Sequence, residues 1–231
     1  PESVFSGLEK RRLKARLKRV ELDLPPPAKA YADEPDLFTK NDVFYERLVS
    51  GRLRLRVGGA YLFTARSRFN QIFTLAHELA HSIDPCEMRV ARFSLPSYDR
   101  LSACFLQRKL IAARRTRAEC GQDDQLSETF ADWVAVQIIS EAMAELTPDY
   151  TPEQKLNALL NSVRDLCEQD ATDPVSDLTF HPSPRTRIQG IFGHSPAILE
   201  MLGCNPEPAR LLDAECGFEW TPPTEHPRKN L

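Results

Sequence analysis

Apolar residues recur at helical spacing through most of the chain and alternate in only one short stretch. Over residues 6–20 (SGLEKRRLKARLKRV), Leu8, Leu13, Leu17 and Val20 stand among seven Lys and Arg between Lys10 and Arg19. Ser6 suits a helix N-cap, and Glu9 three places on completes a capping box. The segment reads as a basic amphipathic helix: a solvated face, or a surface for an anionic membrane or a partner. Pro25, Pro26 and Pro27 end it stiffly. Residues 52–57 (RLRLRV) alternate with period two, Gly58-Gly59 offers a two-residue turn, and Ala60–Phe63 is expected to return as the second strand of a hairpin.

From residue 69 onward the period is helical. It predicts long helices over 69–83 and 125–145, with Phe130, Trp133, Val134 and Ile138 on the core face of the second. Thr151-Pro152-Glu153-Gln154 combines a cap, a proline at the first helical position and a glutamine at the third. Leu156, Leu159, Leu160, Val163 and Leu166 give the helix that follows its apolar stripe. The expected fold class is α+β, mainly helical, with a small N-terminal hairpin or sheet. Residues 1–50 read as an extension with the basic helix and the proline linker, and residues 51–231 as one domain.

Composition narrows the function classes. At 42% hydrophobic and 27% charged the chain has ordinary globular proportions, and a net charge of -3 gives no reason to expect nucleic acid. No apolar run reaches the roughly 18 residues of a membrane span. Eighteen prolines against nine glycines point to stiffened connections. The six cysteines, Cys86, Cys104, Cys120, Cys167, Cys204 and Cys216, form no Cys-x-x-Cys pair, which argues against a cysteine-ligated zinc. Their even number favours structural disulfides in an extracytoplasmic protein, secreted or periplasmic, over buried thiols. The sequence opens on Pro1 rather than Met, which fits a cleaved signal peptide or a truncation.

The chemistry concentrates in three segments. His77-Glu78-Leu79-Ala80-His81 is His-Glu-x-x-His on a helical pattern. A spacing of four sets both imidazoles on one face about a turn apart, where they can bind one ion, and Glu78 beside them can reach an activated water. A catalytic zinc needs a third protein ligand and an open position. Glu128 and Asp132, also four apart, share one face of the 125–145 helix. Glu128 suits the ligand and Asp132 the carboxylate that orients an imidazole. His181 stands in a proline-stiffened turn (HPSPRTRIQG) and suits a fixed donor facing a cleft, while His194 and His226 have no comparable setting. Phe73, one turn before His77, and Leu166 are expected walls of an apolar specificity pocket.

These motifs resemble the neprilysin family of zinc metallopeptidases, with its thermolysin-like gluzincin arrangement, from about residue 72 to Trp220. His77-Glu78-Leu79-Ala80-His81-Ser82-Ile83-Asp84 is similar to the family's His-Glu-x-x-His-x-Phe-Asp, and Glu128-Thr129-Phe130-Ala131-Asp132 to its Glu-x-x-Ala-Asp. His181, Arg187 and Gly190 match its His…Arg…Gly segment, and Cys204, Cys216 and Trp220 its C-terminus. The resemblance implies a zincin core and one Zn2+ per chain held by His77, His81 and Glu128. It makes Glu78 the general base, Asp132 and Asp84 the partners of the two histidines, His181 the oxyanion donor and Arg187 a grip on a substrate carbonyl. Gly59-Ala60-Tyr61 stands at the family's substrate strand, so Ala60 and Tyr61 would contact substrate. It also implies a Cys104–Cys216 disulfide. The family's large N-terminal lid does not fit ahead of residue 69, so the expected enzyme is a compact endopeptidase for peptides or unfolded polypeptides. The alternative is a catalytically weak or inactive zinc-binding module that binds peptides or a partner.

Overall fold

The computed structural model describes residues 4–24, 34–64, 66–84, 96–111, 125–166, 181–193 and 195–204. Its centre is α6, as the elements are numbered here in chain order: a 22-residue helix, Gln125–Leu146. Phe130, Ala131, Trp133, Ala135, Val136, Ile139 and Met143 are all buried along it. A helix apolar on nearly every side must sit inside the fold, and other helices pack around this one. Along it lies α4 (Arg68–His81), started by Ser67, whose hydroxyl accepts from the Asn70 amide. From α5 (Pro96–Gln107), Tyr98, Leu101 and Phe105 join the same core, with the Tyr98 ring edge-on to Phe130 at 5.6 Å. The helix α7 (Pro152–Ser162) rests on α4 and starts with the expected Thr151–Gln154 capping box. Leu159, Val163 and Leu166 of the predicted stripe are buried, but Leu156 and Leu160 are 42% and 52% exposed. On α6, Ile138 lies half exposed, outside the core face assigned to it, and Val134 is partly buried.

The N-terminal segment belongs to this core. The basic helix α1 (Gly7–Leu17) has the expected Ser6–Glu9 capping box, and Val4, Phe5 and Leu13 are buried with α6, Phe5 edge-on to Trp133 at 6.4 Å. The Glu9 carboxylate also accepts from the Ser97 amide at 3.0 Å and the Ser97 hydroxyl at 2.8 Å, at the start of α5. Arg16 Nε donates to the Ser82 carbonyl at the end of α4. Arg11, Lys14 and Lys18 occupy the opposite, solvated side of the helix. No described helix is long and apolar enough to cross a membrane.

A three-stranded sheet covers α4. It contains β1 (Val20–Asp23), β2 (Val43–Arg47) and β3 (Leu53–Val57) in the order β1-β3-β2. β1 runs parallel to β3, and β2 antiparallel with Tyr45 opposite Leu55. Glu46 lies opposite Arg54 and bonds it at 2.7 Å, a cross-strand pair that helps fix this register. Val43, Leu55 and Val57 meet Leu75 and Leu79 of α4 beneath the sheet.

The hairpin differs from its expected position. RLRLRV is a strand, but its hairpin partner precedes it, across a turn where Gly51 takes φ 79°. Ala60–Phe63, expected as the return strand, lies in the short helix α3 (Gly59–Phe63), which packs against α2 (Pro35–Thr39). The physical reason is a close backbone crossing. A Cβ at Gly58 would come 2.1 Å from the Lys40 carbonyl oxygen, and one at Gly59 2.4 Å from that of Phe38. The two glycines let chain pass chain there rather than forming a hairpin turn. Tyr61 is then buried under the sheet.

Cys104, buried in α5, is disulfide-bonded with its partner outside the described residues, and Cys204 is free and exposed. Cys86, Cys120, Cys167, Cys216, Trp220, His194 and His226 also lie outside the described residues, so the Cys104–Cys216 pairing stays an expectation.

Candidate metal centre

Two helices bring the predicted residues together. α4 supplies His77 and His81, whose Nε2 atoms lie 3.2 Å apart, and α6 supplies Glu128 and Asp132. Glu128 Oε2 is 2.9 Å from His77 Nε2, and Oε1 is 3.4 Å from His81 Nε2. His181 Nε2 approaches Glu128 Oε2 at 3.2 Å from the far side, its side chain 53% exposed at the mouth of the site. Glu128 Oε2 is nevertheless a buried atom with no hydrogen bond of proper geometry. Ligand atoms about 2.0–2.2 Å from a shared tetrahedral zinc would lie roughly 3.3 Å apart. The 3.2 Å between the two imidazole nitrogens fits that, Glu128 stands close to both through its two different oxygens, and His and carboxylate donors are among those that zinc takes. His77, Glu78 and His81 likewise offer atoms within 4.8 Å of one another, so Glu78 also lies within reach of an ion there.

Behind these atoms each group is braced. His77 Nδ1 meets Asp132 Oδ1 at 2.9 Å, as the spacing of the α6 carboxylates suggested. Asp132 is fully buried and receives Arg187 Nε at 2.6 Å and Arg187 Nη2 at 2.8 Å. Arg187 opens a π-helical turn, Arg187–Phe192, that follows the short helix α8 (Pro184–Thr186) and precedes α9 (Pro196–Met201). The arginine expected to grip substrate is buried, and its described bonds go to Asp132. A guanidinium fork matches a carboxylate too well to leave a buried Asp132 unpaired. At His81 Nδ1 the described partner is Ser127 Oγ at 3.1 Å, in the place expected for Asp84. Asp84 is buried just past α4, with its amide donating to the His81 carbonyl at 3.2 Å.

Glu78 stands beside the cluster, Oε1 3.9 Å from His77 Nε2, while Oε2 accepts the Tyr45 amide of β2 at 2.9 Å. Burial, only partly offset by His77 and that amide, pushes its carboxyl up to about 7. Burial would also lower His77, but Asp132 and Glu128 outweigh it and raise the imidazole to about 10. Burial and the neighbouring His77 push His81 down to about 4. Burial would raise Glu128, yet His181 and His77 hold it well below the carboxylate range. Burial likewise opposes ionisation of Asp132, which Arg187 and His77 hold at about 2.

The remaining expectations fall elsewhere. Phe73 is buried, 5.4 Å from Phe192 and 6.1 Å from His77 between ring centres, and backs the histidine from the core instead of walling an open pocket. Leu166 is also core. Ala60 and Tyr61 lie in α3, so the outer strand beside Glu78 is β2. Two contributors escaped the sequence reading. Ser127 adjoins Glu128, and that adjacency was its one signal; the Tyr45 amide is backbone and has none. No family model, curated protein or solved structure matches the chain.

Proposed function

We propose that this protein is a zinc-dependent endopeptidase, with His77, His81 and Glu128 as metal ligands and Glu78 as general base. The observation that carries this is the meeting of His77, His81 and Glu128, with the two Nε2 atoms 3.2 Å apart and a Glu128 carboxylate oxygen 2.9 Å from one and 3.4 Å from the other. Glu128 is the better third ligand because it contacts both helix histidines, whereas Glu78 lies further off and is tied to Tyr45. When bound, zinc supplies Lewis acidity that activates water near neutral pH. Glu78 accepts the proton from the attacking water and returns it to the leaving amine. His181, at the mouth and on the side of Glu128, donates a hydrogen bond to the oxyanion. Asp132 and Arg187 hold His77 in place.

The substrate would be an extended peptide or unfolded polypeptide. β2 is one of the two outer strands of the sheet and the one beside Glu78, so a substrate could add along that edge once Glu78 releases the Tyr45 amide. The rival reading, an inactive peptide-binding module, lacks the usual sign of lost activity, since Glu78 is present. Metal analysis and a quenched-peptide assay on wild type and Glu78→Gln decide between them. About one zinc per chain in both proteins is expected, with hydrolysis lost by at least about 10²–10⁴-fold in the variant. A Glu78→Gln protein as active as wild type would falsify the mechanism.

A further inference from the structure

The two helix histidines are braced in different ways. His77 Nδ1 faces a carboxylate, Asp132, which is itself paired with a guanidinium. His81 Nδ1 faces a hydroxyl, that of Ser127 at 3.1 Å, in the first turn of α6. The Nε2 atoms of both rings are the ones turned towards Glu128. An imidazole nitrogen that binds a metal must be bare, and a neutral ring has one proton, so for His81 that proton must sit on Nδ1. A ring free to choose would put the proton on either nitrogen and spend much of its time unable to coordinate.

We propose that Ser127 is a positioning residue for His81: its Oγ accepts the Nδ1 proton, fixes the tautomer and sets the angle of the ring. The proposal rests on the zinc reading above for its consequence, since the tautomer so fixed is the one that leaves Nε2 bare. The hydroxyl suits the task because it is an acceptor whose own hydrogen can turn aside. Unlike a carboxylate it adds no charge to a site that already holds Glu78, Glu128 and Asp132. Ser127 precedes the ligand Glu128 on the same helical turn, so one segment of α6 supplies a metal ligand and braces another. Partners of this kind typically change metal affinity by about ten- to a hundred-fold.

The test uses the full chain with and without zinc. Imidazole nitrogen NMR on the metal-free protein reads the His81 tautomer, and competition with a chromophoric chelator reads zinc affinity. Wild type and Ser127→Thr should show His81 protonated at Nδ1. Ser127→Ala should show a mixture of tautomers and bind zinc about ten- to a hundred-fold more weakly. Its metal-free melting temperature should stay near that of wild type, which separates positioning from a general loss of structure. If Ser127→Ala does not fold, Ser127→Val, which fills a similar space and has no acceptor, gives the same reading. A Ser127→Ala protein with an unchanged tautomer and unchanged affinity overturns the proposal. If wild type takes up no zinc, the metal reading fails by itself, and the tautomer comparison still decides the role of Ser127.

Discussion

Among the described residues Arg187 bonds the His77–His81–Glu128 cluster through Asp132, and that indirect link makes it sensitive to substitution. Truncating it leaves a fully buried carboxylate with His77 as its remaining described partner. Breaking such a pair costs about 3–5 kcal/mol. Arg187→Ala should therefore lower urea-unfolding stability by that amount and weaken zinc binding as His77 loses its brace. Arg187→Lys should recover little of either, because an ammonium cannot make both bonds of the fork. Urea titration with chelator competition checks both. How far single residues were legible follows from their chemistry. Asp132 could be read because it repeats the four-residue spacing of His77 and His81 on a second helix. Arg187 could be found but not its partner, since a sequence does not say whether a buried charge will face substrate or protein. Ser127 offers only its place beside Glu128, because a serine on a helix usually faces water.

Among the elements, α4 and α6 were legible because their periodicity is long and each has a motif on one face. The strand β2 was not: VFYER shows no clean alternation, and its partner is decided across a turn. AYLF looked like a strand because two glycines before it resemble a hairpin turn, whereas packing against residues 38–40 requires those glycines. The capping box of α1 was legible, but not its second use. Glu9 caps α1 and also receives the Ser97 amide and hydroxyl at the start of α5. Burial would raise its carboxyl, but the bonds from Ser6 and Ser97 outweigh that and hold it below the ordinary value. A folded-state pKa below the unfolded one adds stability that is complete above the ordinary glutamate range and is lost as the pH falls through the lower, folded value. Acid titration of the wild type should therefore show Glu9-dependent unfolding on the acid side. Glu9→Gln should be less stable at neutral pH by about 2 kcal/mol and should lack that part of the acid transition.

For the whole molecule, the proposed ligands come from α4 and α6, so an ion would tie together two helices distant in sequence. A ligand that binds only the folded state, present at about 1,000 times its dissociation constant, stabilises by about 4 kcal/mol. Chelation should lower the thermal midpoint by several degrees, and added zinc should restore it; scanning calorimetry reads both. The edge of β2 beside Glu78 bears on what can enter. An unfolded protein and a five-residue peptide digested side by side should both be cut, the longer chain at internal bonds. Cleavage of the short peptide alone would mean that the cleft is closed by something other than the described residues.

The bond from Arg16 to the Ser82 carbonyl joins residues 66 apart in sequence, and that from Glu9 to Ser97 joins residues 88 apart. Both arise from one short helix, and they grip the two ends of the stretch between α4 and α5. Contacts of such separation form only after long loops have closed, and they are slow to be made. Late docking of α1 is therefore expected, with the end of α4 that presents His81 completed after α6 although α1 is synthesised first. In folding followed by pulsed hydrogen exchange, the amides of residues 82–84 should gain protection later than those in the middle of α6. Arg16→Ala should delay them further and leave α6 unchanged. Equal timing at both places in the wild type would show that α1 docks early and templates the site helix instead.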